Sequence, residues 1–413
     1  MKKILCFTFL LLFSISFGQI ENEIVPPYNI KTVTFKKGGY NVVPIFKLGE
    51  AFTFEFDDLF GTDNDYYFTI THCDINWQPS GLIKQEYLKG VDDIRLTEYV
   101  NSFNTLQMYS HYKLQFPNER LKLLLSGNYI LKITNDRREL IFSRKFVLYE
   151  EMVNIPIQVK RGREMKTIDQ VQNLDFAVRM GDLQLQNPIK NVSLVILQNA
   201  KWHTAKYNIK PQYTIGNDLI YKYDKETQYY GGNEFLYFDN NNIRVNANNI
   251  ARVTSGDLYN TILHTSIPRA NSTYTYFPDI NGNFQVRNLN TEDPEIEADY
   301  AWVYFSLKQD EIIGKDIYVT GMFNNYQLTE ENKMIFNKKN GLYEIPILIK
   351  QGFTNFEYTI VNKNRTIDTA NAIDGNFYQT ENNYTILAYY KGNNDRFYKV
   401  IGKGEASSIN IIN

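Results

Sequence analysis

Cysteine, histidine and helical periodicity are all scarce in this 413-residue chain. There are two cysteines, Cys6 and Cys73, and Cys6 falls within an N-terminal segment expected to be removed. With Cys73 alone remaining, an intramolecular disulfide and any zinc site built on two or more thiolates are excluded, so packing must supply the stability. The four histidines, His72, His111, His203 and His264, show no ligand-pair spacing. No nucleophile elbow, phosphate loop or dinucleotide fingerprint occurs. Charge of one sign is missing too: 44 basic residues meet 46 acidic ones, and no basic stripe offers a nucleic-acid footprint. Beyond the N-terminal segment no run approaches eighteen apolar residues, so no membrane-spanning helix is expected.

What is abundant is aromatic: 31 Tyr and 27 Phe, a bias toward strands and contact surfaces. The opening "MKKILCFTFLLLFSISFGQ" has two lysines, an apolar run and small residues around Gly18. That is the layout of a secretory signal peptide over residues 1–18, implying export. Thereafter period two dominates. In "AFTFEFD" Phe52, Phe54 and Phe56 share one face while Thr53, Glu55 and Asp57 share the other, the pattern of a half-buried strand. "GNYILKIT", "IFSRKFVLYE", "LDFAVRM", "VSLVILQ", "AWVYFSL", "LYEIPILIK", "FEYTIV" and "YTILAYY" read likewise, separated by Gly, Asn and Asp turns. Short helices are expected only near Leu82–Tyr87 and Thr97–Ser102. The chain therefore reads as all-β, with three tandem immunoglobulin-like or fibronectin-like β-sandwich domains over residues 19–150, 151–298 and 299–413. The second boundary rests on the acidic stretch "NTEDPEIEAD".

One stretch collects residue types that enzymes use, "YYFTITHCDINWQPSG". Adjacent strand residues point to opposite faces, so His72 lies with Phe68 and Ile70 and cannot activate the Cys73 sulfur. Cys73 is expected to be a buried thiol near Trp77. The Asp63 and Asp65 spacing starts like a calcium loop but lacks its glycine and terminal glutamate. Doublets such as Asp57/Asp58 and Asp92/Asp93 carry no glycosidase geometry. No catalytic residue, metal, cofactor, nucleic acid or small-molecule substrate is assigned.

Two resemblances go further. Asp316 to Ile360 resembles the early-set, immunoglobulin-like modules of glycogen-binding and branching proteins, through Val319, Gly321, Phe323, Asn324, Ile349, Gly352, Phe356 and Tyr358, with Tyr326 replacing the usual tryptophan. This keeps a glucan-binding reading open for the last domain. More extensively, from about Pro26 to Gly402, the chain resembles the plug protein family of the type IX secretion system. The blocks are "HCDINW" (His72, Cys73, Asp74, Trp77), "EYLKG" (Tyr87, Gly90), "YSHYKLQFPNE" (His111, Tyr112, Pro117), "SGNYILKI" (Ser126, Gly127, Asn128, Tyr129) and "GGNEFLYFD" (Asn233, Glu234, Phe235), followed by "NNDRFYKVIG". Leu236 and Tyr398 depart from the family pattern. The resemblance implies a non-enzymatic periplasmic protein that docks on a very large outer-membrane translocon barrel and seals its pore when no cargo is engaged. Polar and aromatic loop tips at Asn324, Asn325 and Tyr326 are the expected partner contact. An outer-membrane barrel formed by the chain itself is disfavoured, because "IFSRKFVLYE" carries basic residues on both faces.

Overall fold

The computed structural model describes residues 23–247, 249–409 and 411. The segment 1–18, expected from the sequence to be a signal peptide, lies outside them. The chain is built almost wholly of antiparallel strands, paired into sheets that stack as sandwiches. Every strand anticipated from alternation is present. Of the two helix candidates, Lys84–Tyr87 forms one turn, whereas Tyr99–Asn101 is an edge strand.

In the first sandwich, one five-stranded sheet contains Ile30–Lys37, Phe52–Asp58 and Ser110–Phe116; the other contains Tyr67–Cys73, Gly127–Thr134 and Leu140–Tyr149. Alternate residues meet between them as an aromatic core of Phe35, Phe46, Phe52, Phe54, Phe56, Phe68, Phe116, Phe142 and Phe146. Phe46 and Phe52 stack with centroids 4.0 Å apart. Each such ring contributes on the order of 1.5–3 kcal/mol through removal from water, which replaces the missing disulfides.

The second sheet of this sandwich is apolar on both faces. Along Gly127–Thr134, Tyr129, Leu131 and Ile133 enter the core while Ile130 points outward into a separate buried cluster with Cys73, Trp77, Val147 and Tyr149. That outward face is covered by the second sandwich.

The other two sandwiches are interleaved in sequence, which corrects the expected ranges 151–298 and 299–413. The second sandwich pairs a sheet built on Val171–Val178 with one containing Val192–Gln198, Asn383–Tyr390 and Lys399–Ser407. Its final two strands thus come from the end of the chain. All seven residues of Val192–Gln198 are in register with Tyr384–Tyr390. The third sandwich lies between them in sequence: Leu236–Asp239 and Phe284–Val286 pair with Gly352–Asn362, and Ile250–Ser255 pairs with Tyr259–Leu263, which pairs in turn with Tyr300–Leu307. The acidic stretch read as a linker instead supplies a helical turn, Pro294–Glu297, and Glu295, which binds the first sandwich. Local composition cannot distinguish a linker from a polar segment consumed by a neighbour.

Candidate functional site: two junctions on one hub

The first sandwich is a hub, contacted by the second on one sheet and the third on the other. The two contacts differ in chemistry.

The junction with the second sandwich is apolar. Ile45, Cys73, Ile75, Trp77, Ile130, Val147 and Tyr149 meet Val195, Leu197, Leu387, Tyr389 and Val400. Cys73 is fully buried there, facing away from His72, which lies in the hub core edge-on to Tyr129 with centroids 4.9 Å apart. Asp74 ends the strand by accepting the amides of Asn76 (2.8 Å) and Gln78 (2.9 Å). The resulting turn presents Trp77 edge-on to Trp202 of the second sandwich, centroids 5.1 Å apart. Burial pushes the His72 imidazole down to about 4, so it is neutral at ordinary pH. A nucleophile and base are therefore not assembled.

Polar residues of the hallmark blocks stitch the edge of this junction. Tyr389 donates its hydroxyl to Asn128 Oδ1 (2.7 Å), and Asn128 Nδ2 donates to the Asp74 carbonyl (2.9 Å). Ser126 donates to Glu150 (2.6 Å) and accepts from the Val400 amide (3.2 Å). At Gly127, with φ +149, a Cβ would lie 2.3 Å from His72 Nε2, so the close seat of His72 requires glycine. Tyr87 and Tyr129 are buried with their hydroxyls on the Ile70 and Leu125 carbonyls, Tyr112 donates to the Asn64 carbonyl, and Gly90 pairs with Leu121 in a small ribbon. Pro117 follows the last residue of Ser110–Phe116 through a cis peptide. These residues are structural, set within the hub and its seam with the second sandwich.

The junction with the third sandwich is ionic. Asp57, fully buried, accepts from Lys350 Nζ (2.6 Å) and the Tyr300 hydroxyl (2.6 Å) through Oδ2, and from His111 Nδ1 (2.7 Å) through Oδ1. Lys36 bonds Glu55 (2.6 Å) and also Glu295. Lys350 donates further to the Glu295 carbonyl (2.6 Å), with its ammonium 4.1 Å from the Tyr109 ring centroid. Three carboxylates thus face two ammonium groups and the His111 ring. Burial opposes ionisation of Glu55, but His111 and Lys36 outweigh it and hold the carboxyl down at about 2. Burial likewise opposes charging of His111, but bonds to Asp57 and Glu55 hold it up at about 9. Desolvation also works against Asp57, which Lys350 and His111 keep below the usual carboxylate range. Glu55, His111 and Glu295 bring potential metal-ligand atoms within 4.8 Å of one another. The Lys36 ammonium already bridges both of those carboxylates, so the arrangement is satisfied as a salt-bridge cluster.

Of the expected loop tips, Tyr326 is buried, whereas Asn324 and Asn325 are half-buried. Tyr326 is buried beneath Lys201 of the second sandwich, 5.3 Å from its ring centroid, because the backbone turns inward at Asn325 and Tyr326, both with φ near +50. Asn325 accepts from Arg144 of the hub and donates to Glu23, each at 3.0 Å, while Asn324 caps its own turn. Asn324, Asn325 and Tyr326 therefore serve contacts within the molecule, and the Tyr326 ring is not presented to solvent. Asn233, Glu234 and Phe235 occupy the crossing from the second to the third sandwich.

Sequence reasoning missed Asp57, Lys350 and Tyr300 as partners. The one available signal was the acidic face of "FTFEFDD", since Asp57 and Lys350 are 293 residues apart.

The chain is thus an all-β scaffold whose sandwiches are joined by one apolar and one ionic buried junction. Residues 30–150 match the family described as the type 9 secretion system plug protein 1st domain. Over this first sandwich the chain is similar to the plug proteins of the type IX secretion system. Over almost its whole length it is also similar to a crystal structure of a hypothetical protein from Parabacteroides merdae ATCC 43184. The sequences are 28% identical, the TM-score is 0.89, and the match covers 93% of this chain and 98% of that one. No curated protein matches the sequence.

Proposed function

We propose that this protein is a non-enzymatic periplasmic plug that binds the periplasmic end of the outer-membrane translocon barrel and seals its pore when no substrate is engaged. The observation that carries the reading is the plug-family match of the hub, residues 30–150. Two physical features support it. A barrel of more than about twenty strands has a lumen wide enough to need closing. A folded body of this length has a radius of gyration of about 21 Å, and its buried junctions resist deformation by a pore.

The contact surface we assign is an exposed apolar patch on the hub beside the third sandwich, where the Phe103 amide donates to the Ile296 carbonyl (2.9 Å). Around the edge strand Tyr99–Asn101, Phe60, Val100, Phe103, Leu106 and Met108 are all more than half exposed. Exposed apolar side chains gathered on adjacent loops are the usual mark of a protein contact. Gly61 packs against Met108, and Gln107 donates to the Leu59 carbonyl, so the two loops form one surface.

Affinity purification of the protein from envelope extracts tests the reading. The barrel is expected to co-purify, less so with Phe103→Ser and Met108→Ser together, and a deletion strain is expected to admit large solutes. An intact barrier in that strain, with no barrel recovered, overturns it.

A further inference from the structure

The second and third sandwiches are joined by a two-stranded neck. The outgoing link is 231–235 and the returning link is 374–382. They are bonded to each other by Phe377 N to Gly232 O (2.9 Å), Thr380 Oγ1 to Gly232 O (2.8 Å), Asn382 Nδ2 to Gly231 O (2.8 Å) and Asn233 Nδ2 to Asp374 O (2.8 Å). The approach is so close that a Cβ on Gly231 would lie 2.0 Å from the Phe377 carbonyl oxygen. On the side of the second sandwich, Gln172 donates to the carbonyls of Tyr378 and Thr380 at 2.7 Å each, completing a satisfied amide network.

The side facing the third sandwich is not satisfied. Glu234 is 1% exposed. Its Oε1 accepts from the Tyr274 hydroxyl and from the Glu381 amide of the returning link (2.9 Å), whereas its Oε2 is buried without a partner. The groups around it are predominantly acidic: Asp279, which accepts from the Phe235 amide (2.7 Å), Glu381, which accepts from the Tyr276 hydroxyl (2.9 Å), and Asp374. Arg269 reaches the Glu234 backbone carbonyl (2.7 Å) and spends its charge on Asp374 (3.0 Å). Lys201 lies over the Phe235 ring and pairs with Glu357. Among the described residues no cation bonds the Glu234 carboxylate.

We propose that the neck is a proton-sensitive latch: with Glu234 neutral the two links are clasped, and with Glu234 ionised the clasp opens locally. An ionised Oε2 would be an unpaired buried charge beside two further carboxylates, which costs free energy that a neutral carboxyl does not. Burial, reinforced by Asp279 and Glu381, pushes the Glu234 carboxyl up to about 7, and burial pushes Asp279 up to about 6. A raised carboxyl value means that the folded neck holds a proton which the open neck releases. The clasp is therefore strongest below about pH 4.5 and weakens as pH rises to about 7. This inference concerns the isolated protein and does not depend on the plug reading.

Hydrogen exchange of the full mature chain at pH 5 and pH 8, corrected for intrinsic chemistry, tests it. The opening equilibrium of peptides spanning 231–235 and 374–382 is expected to rise at least about tenfold at the higher pH. Glu234→Gln is expected to remove most of this rise, leaving the smaller part that Asp279 contributes, and Asp279→Asn to keep most of it. Should Glu234→Gln fail to fold, Tyr274→Phe provides the second arm: losing a donor to the carboxylate is expected to move the transition to higher pH. Equal protection at both pH values, an undiminished rise in Glu234→Gln, a rise that vanishes in Asp279→Asn, or an unmoved transition in Tyr274→Phe would each overturn the proposal.

Discussion

The hub holds one neighbour by burying carbon and the other by burying charge. The apolar junction around Cys73, Val147, Leu197 and Leu387 draws its stability from area removed from water, which has no geometric demand beyond fit. The ionic junction at Asp57, His111 and Lys350 must compensate the desolvation of several charges through exact pairing. The first tolerates small rearrangements and is indifferent to pH; the second specifies one relative placement of the sandwiches and fails when a single partner is lost. A body held by both is cohesive on one side and precisely oriented on the other.

The largest expected effect follows from breaking the charge balance. Asp57→Ala leaves Lys350 and His111 buried without their carboxylate and is expected to cost about 3–5 kcal/mol in urea unfolding. Removing both charges together, as Asp57→Leu with Lys350→Met, is expected to recover much of that loss. If the single and double variants are equally destabilised, the junction is not an ion pair in energetic terms.

On the apolar side, Leu197→Ala is expected to cost about 2–5 kcal/mol through lost burial and a residual cavity. Its effect should be the same at pH 5 and pH 8, whereas that of Asp57→Ala should not.

pH provides a subtler separation. Glu55 and Asp57 lie below their ordinary values, so their contributions are present above the ordinary carboxylate range and are lost on acidification, for Glu55 between about 4.5 and about 2. His111 is raised, so its contribution is complete below about 6.5 and is lost as pH rises to about 9. Protection of amides in Ser110–Phe116 should therefore be greatest near pH 5–6 and should decline in both directions, with His111→Gln removing the alkaline decline. A flat profile across that range would show that the imidazole is neutral in the folded state.

The smallest effect expected is on reactivity. Cys73, fully buried in the apolar seam, should react with thiol reagents orders of magnitude more slowly than in urea. Rapid labelling of the native protein would mean that the seam opens readily.

The contrast also explains what the sequence revealed. Strands and the all-β class were legible because period two is written locally, in Phe52, Phe54 and Phe56 or in Tyr129, Leu131 and Ile133. Even the apolar junction left a trace: in "VSLVILQ" both parities are apolar, as two-sided burial requires. The ionic junction left none, because Asp57 and Glu295 look like surface acids until the third sandwich closes over them. Interleaving of the second and third sandwiches was equally hidden, since nothing in "YTILAYY" says that its partner is 190 residues upstream. Tyr326 misled for a related reason: a loop motif predicts a turn but not which neighbour covers it.

The most direct test of sealing is electrical. Purified translocon barrel in a planar bilayer should conduct freely, and adding this protein to the periplasmic side should lower the conductance, with Asp57→Ala sealing less completely than wild type. An open-pore conductance unchanged at saturating wild-type protein would contradict the account.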